Sequence, residues 1–218
     1  MNAGILIAGH CSPLADAIEA EAGRRGDCAL ALLPNRFSGR PEGDDGWAAG
    51  KTRPTLDWNA GSPVAARSLA LAAENSLERL DVAILVCSPP AVSVAPANIR
   101  PIDVEVLACD HVKSWLFLSR ELLTIFKAKK RGTLALVYPE AQEGASFDAL
   151  FSMAHASFRA LALAILDGAS SGGYSAQGFT GGSGDEAGFA SFIFKQLDDS
   201  KRQFNGKLHK FGKMGFLK

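Results

Sequence analysis

Short apolar segments without polar alternation recur along this chain, and most are followed by a helical pattern. Apolar runs of this kind are typical of parallel strands covered on both faces. Two Ser-Pro pairs, Ser12-Pro13 and Ser62-Pro63, supply the N-cap and first-turn residues of two intervening helices. The alternation predicts a three-layer α/β fold, a doubly wound, Rossmann-like parallel sheet with helices on both faces. The first five predicted strands are residues 3–8, 28–33, 55–57, 82–87 and 133–138.

The second half of the chain continues this pattern. Apolar residues at three- and four-residue spacing predict a long helix that ends at Gly132, and a second apolar stripe predicts a helix over residues 150–165. A sixth strand over 174–179 and a helix over about 185–202 follow. The basic tail is interpreted as a closing strand.

The same pattern predicts one domain over residues 1–218. Within it, residues 38–53 are rich in glycine and charge and are expected to form an irregular surface excursion. The C-terminal region, about residues 170–218, carries glycine-rich turns and is expected to be shorter than is usual in such a domain.

Charge and cysteine content narrow the function classes. The chain has 218 residues with 23 basic and 23 acidic side chains, so no net field favours nucleic acid or an anionic membrane. A small-molecule ligand or a protein partner is expected instead. The four cysteines show no Cys-x-x-Cys spacing and no local metal-ligand spacing, which predicts a reduced, cytoplasmic protein without a metal site. No apolar run is predicted to reach the roughly 20 residues that cross a bilayer.

Ligands of such sheets bind at the carboxyl ends of the strands. Four segments that follow predicted strands are therefore expected around one crevice. They are residues 9–13, 57–59, 87–90 and 138–142.

The order of elements, with Asp57-Trp58-Asn59 after the third strand and a long helix before Gly132, resembles the short-chain dehydrogenase/reductase family over nearly the whole chain. The resemblance implies a Gly-x-x-x-Gly-x-Gly turn for the pyrophosphate of NAD or NADP. The corresponding residues here are Gly9, Pro13 and Ala15. Proline lacks an N–H and adds a ring, so pyrophosphate binding is expected to be weakened.

The resemblance also implies positions for the rest of the cofactor. Asp57 matches the aspartate that meets the adenine, and Arg36 stands where a 2′-phosphate would lie. His10 is a candidate phosphate contact, and Cys87 lies in Val86-Cys87-Ser88-Pro89, which replaces the family's Asn-Asn-Ala-Gly. Each has an ordinary alternative, such as a turn cap, a surface arginine or a loop histidine. No cofactor is firmly expected, and NADP or NAD stays possible.

The catalytic residues that the resemblance implies are all replaced. Phe151 and His155 occupy the Tyr-x-x-x-Lys positions, and phenylalanine has no hydroxyl to pass a proton. The family serine falls near Pro139 and the family asparagine near His111. His155 and His111 are candidates for an acid/base pair or for structural histidines.

These observations predict a divergent short-chain dehydrogenase/reductase-like protein that lacks the classical catalysis and acts in binding or assembly. The alternative is an NAD(P)-dependent oxidoreductase with a rearranged site, in which His155 or a tyrosine, Tyr138 or Tyr174, transfers the proton. The resemblance implies a homo-oligomer that pairs through the two striped helices.

Overall fold

Seven strands and six α-helices alternate along the described part of the chain. The computed structural model describes residues 3–9, 12–34, 55–77, 79–87, 89, 95–140, 149–182, 184–199 and 205–212, with only the backbone given for 30–34 and 55–57. The strands are β1 (Gly4–Gly9), β2 (Cys28–Pro34), β3 (Thr55–Trp58), β4 (Val82–Val86), β5 (Thr133–Pro139), β6 (Ser175–Gly181) and β7 (Lys207–Phe211). The helices are α1 (Pro13–Arg25), α2 (Pro63–Ser76), α3 (Pro101–Leu107), α4 (Ser114–Lys129), α5 (Ala149–Gly172) and α6 (Glu186–Asp198).

The strands form one parallel sheet in the order β3-β2-β1-β4-β5-β6-β7. The chain moves outward from β1 to β3 and then crosses back to β4, so the direction of winding reverses between β1 and β4. This arrangement confirms the predicted doubly wound, Rossmann-like α/β fold.

Helices cover both faces of the sheet. Alternate residues of each central strand point to opposite faces, as in β4, where Ile84 and Leu85 belong to different core clusters. The Leu85 cluster holds the buried residues of α2, α4 and α5, and the Ile84 cluster holds those of α1 and α6. Because both faces are covered, the strands need continuous apolar runs, which explains the sequence pattern.

The Ser-Pro signals begin their helices as predicted. The Ser12 hydroxyl accepts a hydrogen bond from the Ala15 amide at 3.2 Å, and the Ser62 hydroxyl accepts one from the Ala65 amide at 3.2 Å. At the other end of α1, Gly26 adopts a left-handed conformation with φ 75° and closes the helix.

The long helix predicted before Gly132 is interrupted. A π-helical turn, Ala108–Lys113, joins α3 to α4 and buries Asp110 and His111. The Ser114 hydroxyl donates to the Asp110 carbonyl at 2.5 Å. Turns of this kind are inserted inside helices and leave no proline or glycine signal in the sequence.

Helix α5 is longer than the predicted stripe. At 24 residues it is long and apolar enough, by length and composition only, to cross a membrane. The sequence has no unbroken apolar run of this length, because Arg159 and Asp167 interrupt α5, and a helix that packs in a protein core can have the same composition. The buried residues of α5, such as Phe158, Ala162 and Ile165, belong to the core cluster on one face of the sheet, as expected of a helix that covers a sheet.

Candidate functional site

The carboxyl ends of the strands form the candidate crevice. Gly9, Val86 and Pro139 end β1, β4 and β5, and Gly181 ends β6. All strands are parallel, so these ends share one edge of the sheet, and the winding reverses between β1 and β4. The segments that the sequence placed around a crevice therefore begin at the edge where such sheets bind ligands.

Gly9 lies where β1 approaches β4 closely. A Cβ atom at this position would lie 3.1 Å from the Val86 Cβ and 3.3 Å from the Val86 carbonyl oxygen. Packing of β1 against β4 thus favours a glycine here without any ligand. The predicted role of Gly9 in cofactor binding stays a prediction.

The first turn of α1 satisfies most of its own amides. Pro13 has no N–H, the Ala15 amide donates to the Ser12 hydroxyl, and the Asp16 amide donates to the Ser12 carbonyl at 3.0 Å. In this turn only Leu14 can still offer an N–H to an anion. Because anions at helix N-termini depend on such amides, this turn does not fit a pyrophosphate group.

Carboxylates surround the same edge of the sheet. Asp16 lies in the first turn of α1, Asp185 caps α6 through a bond from the Gly188 amide at 2.9 Å, and Glu186 follows it. Negative side chains near helix N-termini stabilise the helix, and here they oppose a phosphate bound at the N-terminus of α1 or α6.

Cys87 follows β4 and is fully buried in the core cluster that also holds Trp58 and Trp115. Burial raises the pKa of its thiol far above the usual range, so the side chain stays protonated. Its predicted contact with a cofactor stays a prediction.

Three further cofactor candidates lie at the ends of strands. Asp57 is within β3, His10 follows β1 and Arg36 follows β2 in the sequence. The structure places the backbone of Asp57 in β3, paired with Leu33 of β2, and describes no more of its side chain. His10 and Arg36 lie outside the described residues. Their predicted roles stay predictions.

His155 is held at the end of β5. Its Nε2 atom lies 2.7 Å from the Pro139 carbonyl oxygen, and because a carbonyl only accepts, Nε2 carries the proton. The ring lies parallel to that of Phe151 and edge-on to that of Tyr138, with centroids 6.1 and 5.8 Å apart. The positions matched to the Tyr-x-x-x-Lys pair therefore form an aromatic stack.

His111 lies in a different environment, inside the π-helical turn. It is buried, and burial lowers the pKa of its imidazole to about 4, so it is neutral near pH 7. A general acid or base works best with a pKa near the operating pH. The lowered pKa argues against a role for His111 in an acid/base pair with His155.

The two candidate tyrosines differ in position. Tyr174 precedes β6, at the amino end of the sheet, and its hydroxyl donates to the Ile165 carbonyl at 2.9 Å. Tyr138 lies near the carboxyl end of β5 and is buried, and Arg159 of α5 is close enough to oppose the rise in its pKa that burial causes. Only Tyr138 is near the candidate crevice.

Two residues near this edge were missed by the sequence analysis. Arg159 lies one helical turn after His155, which is the spacing that signals a shared face. Thr180 shares its side of β6 with Ala176 by two-residue alternation. Within the described ranges, no three His, Cys, Asp or Glu side chains come together as metal ligands do.

Solved structures of low sequence identity share this architecture. A short-chain dehydrogenase from Mycobacterium smegmatis matches with a TM-score of 0.72 and 14% identity, covering 97% of this chain and 93% of that one. One from Leptospira borgpetersenii serovar Hardjo-bovis with bound NAD+ matches with a TM-score of 0.74 and 12% identity, covering 96% and 91%. A metagenomic short-chain oxidoreductase in complex with NADP matches with a TM-score of 0.70 and 16% identity, covering 97% and 99%.

No protein-family model matches the chain, and no curated protein matches its sequence. The chain therefore has the short-chain dehydrogenase/reductase fold over nearly its full length, with a sequence far from the proteins of known structure that share it.

Proposed function

We propose that this short-chain dehydrogenase/reductase-like protein lacks the family's oxidoreductase chemistry and acts by binding or assembly. The observation that carries the proposal is the self-satisfied first turn of α1, in which Pro13, Ala15 and Asp16 offer no amide to a pyrophosphate. The replacement of both helix residues by Phe151 and His155 supports it, since their rings stack and His155 is bound to the Pro139 carbonyl.

The second candidate is an NAD(P)-dependent oxidoreductase with a rearranged site, which the Tyr138 phenol favours. It lies near the carboxyl end of β5, where Arg159 opposes the effect of burial on its pKa. Two of the similar structures contain NAD+ or NADP. A direct binding measurement decides between the two candidates.

We expect the wild-type protein to show no saturable heat when titrated with NADPH or NADH in a calorimeter. Changing Pro13 and Ala15 together to glycine restores one N–H and removes a ring and a methyl group, so dinucleotide affinity is expected to rise about tenfold if the turn is the main obstacle. The titration of both proteins measures this difference.

The matched control replaces Pro63 and Ala65, the equivalent residues of α2, by glycine. This pair weakens a helix start in the same way, but at α2, which follows β3, and not at the α1 turn, which follows β1. Micromolar binding of NADPH or NADH to the wild-type protein would overturn the proposal and favour the oxidoreductase.

A cytoplasmic location belongs to the same proposal. The three described cysteines, Cys28, Cys87 and Cys109, are free thiols, as in proteins of a reducing compartment.

The assembly part of the proposal rests on apolar side chains that face outward. On α4, Leu116 is 51% exposed, and on α5 Met153 and Leu163 are 51% and 44% exposed. Large apolar residues grouped on one face are typical of protein interfaces. We propose that two copies pair through α4 and α5.

Sedimentation velocity at micromolar concentration is expected to show a dimer or tetramer of the wild-type protein. Leu116→Asp places a charge in the proposed interface and is expected to weaken association at least tenfold. Leu71→Asp is the control, because Leu71 is equally exposed (45%) but lies on α2. A monomeric wild-type protein would contradict the assembly.

A further inference from the structure

Tyr138 and Thr180 lie side by side near the carboxyl ends of β5 and β6. They are register partners in the sheet, and register partners of parallel strands project to the same face. Tyr138 belongs to the core cluster covered by α5 and contacts the ring of Phe158 edge-on at 6.2 Å. The Thr180 hydroxyl therefore lies on the α5 side of the sheet, beside Tyr138.

The Thr180 hydroxyl is buried without a partner. The residue is 5% exposed, and its Oγ1 atom has no hydrogen bond to any residue in the described part of the chain. A buried hydroxyl without a partner loses the hydrogen bonds that it makes with water in the unfolded chain. The Thr180 hydroxyl is therefore available to a bound ligand.

Arg159 brings further donors to the same place. Arg159 lies one helical turn after His155, whose ring meets that of Tyr138 with centroids 5.8 Å apart. Its guanidinium carries only donors, and it is close enough to Tyr138 to oppose the rise in the pKa of the phenol. Burial raises the pKa of Tyr138, and the phenol is a donor near neutral pH. The Arg159 side chain is on the exposed side of α5, which opens the cluster to solvent.

The nearest described carboxylate is already engaged. Glu140 is close enough to Tyr138 to raise the pKa of its phenol, but it pairs with Lys210 at 2.9 Å. Among the described residues, the cluster thus holds a cation and two hydroxyl groups, and the nearby Glu140 carboxylate is paired with Lys210.

We propose that Arg159, Tyr138 and Thr180 bind the oxyanion group of a small-molecule ligand, a carboxylate or a phosphate, at the carboxyl ends of β5 and β6. A planar guanidinium binds such groups with two parallel hydrogen bonds, and the two hydroxyls complete the set of donors. The inference rests on the proposed binding function and names its ligand class. It does not depend on the α1 turn, which is where a dinucleotide would be held.

Calorimetric titration of the full chain with sodium benzoate and, separately, with inorganic phosphate tests the site, with ionic strength held constant by sodium chloride. Saturable binding of at least one probe is expected. Arg159→Gln removes the charge and is expected to weaken that binding at least tenfold. Thr180→Val replaces the hydroxyl by a methyl group of similar size and is expected to weaken it about tenfold, whereas Thr180→Ser retains it.

Two variants are matched controls. Ser119→Ala removes another buried hydroxyl without a described partner, on α4, and Arg67→Gln removes an exposed helical arginine on α2. Both are expected to bind the probe as the wild-type protein does. The preference between benzoate and phosphate identifies the oxyanion.

The proposal is overturned if neither probe saturates, or if Arg159→Gln binds as tightly as the wild-type protein. Arg159 is exposed, so this variant is informative even if Thr180→Val does not fold. Dinucleotide binding with no oxyanion binding would overturn both the function and this site, whereas no binding of either kind would overturn the site alone.

Discussion

Acidification from about pH 7 to about pH 4 is expected to lower the free energy of unfolding by about 3 kcal/mol through His111 alone. Burial lowers the pKa of His111 from 6.5 to about 4 in the folded protein. Between these two values the unfolded chain binds a proton that the folded chain does not, so stability falls as the pH falls. Above about pH 6.5 both states are neutral and the effect disappears. Urea unfolding at several pH values measures the loss.

His111→Gln isolates this effect, because glutamine is polar, similar in size and does not titrate. The stability of this variant is expected to fall by about 3 kcal/mol less over the same range. His209→Gln is the control: burial and Lys207 also lower the pKa of His209, but this residue is only partly buried on β7. Equal pH dependence in His111→Gln and the wild-type protein would show that the imidazole is charged or exposed in the folded state.

Much of the fold was predictable because its signals are local. Continuous apolar runs identify buried parallel strands, and the Ser12-Pro13 and Ser62-Pro63 pairs mark where α1 and α2 begin. The position of His111 on a buried helix face was also predictable from the sequence. The apolar stripe of α4, extended back from Trp115 by one helical turn, passes through it.

The π-helical turn and the contacts of the candidate site were not predictable in the same way. The turn adds a residue inside a helix without any proline or glycine to mark it. The proximity of Arg159 on α5 to Tyr138 on β5 depends on how α5 lies over β5. Sequence spacing fixes neither the position of the π-helical turn nor the distance between Tyr138 and Arg159.

The same limit applies to the α1 turn. The sequence shows Pro13 and Ala15 in place of glycines, which predicts the loss of one N–H and the addition of a ring and a methyl group. The structure adds that the Ser12 hydroxyl and carbonyl occupy the Ala15 and Asp16 amides. The Ala15 and Asp16 amides therefore already donate hydrogen bonds within the chain, in addition to the steric change at Pro13 and Ala15. Both effects oppose the binding of a pyrophosphate group at this turn.

Phe158→Ala is expected to cost about 3–5 kcal/mol in the free energy of unfolding, the largest effect of any single substitution considered. Phe158 is 1% exposed and contacts two other rings edge-on, Trp115 of α4 at 5.5 Å and Tyr138 of β5 at 6.2 Å. Truncation removes both contacts and leaves a cavity where α4, α5 and the sheet meet. Urea unfolding followed by tryptophan fluorescence measures the loss, since Trp115 is one of the rings affected.

Leu163→Ala is the matched control, because Leu163 lies on the same helix but is 44% exposed, and its truncation is expected to change stability by less than about 0.5 kcal/mol. The two variants also show whether core packing affects the proposed oxyanion site formed by Arg159, Tyr138 and Thr180. Phe158 positions Tyr138, so Phe158→Ala is expected to weaken benzoate or phosphate binding even where the variant stays folded. A loss below about 1 kcal/mol in Phe158→Ala would mean that α5 does not pack on β5 as described, and the arrangement of Tyr138 and Arg159 would fall with it.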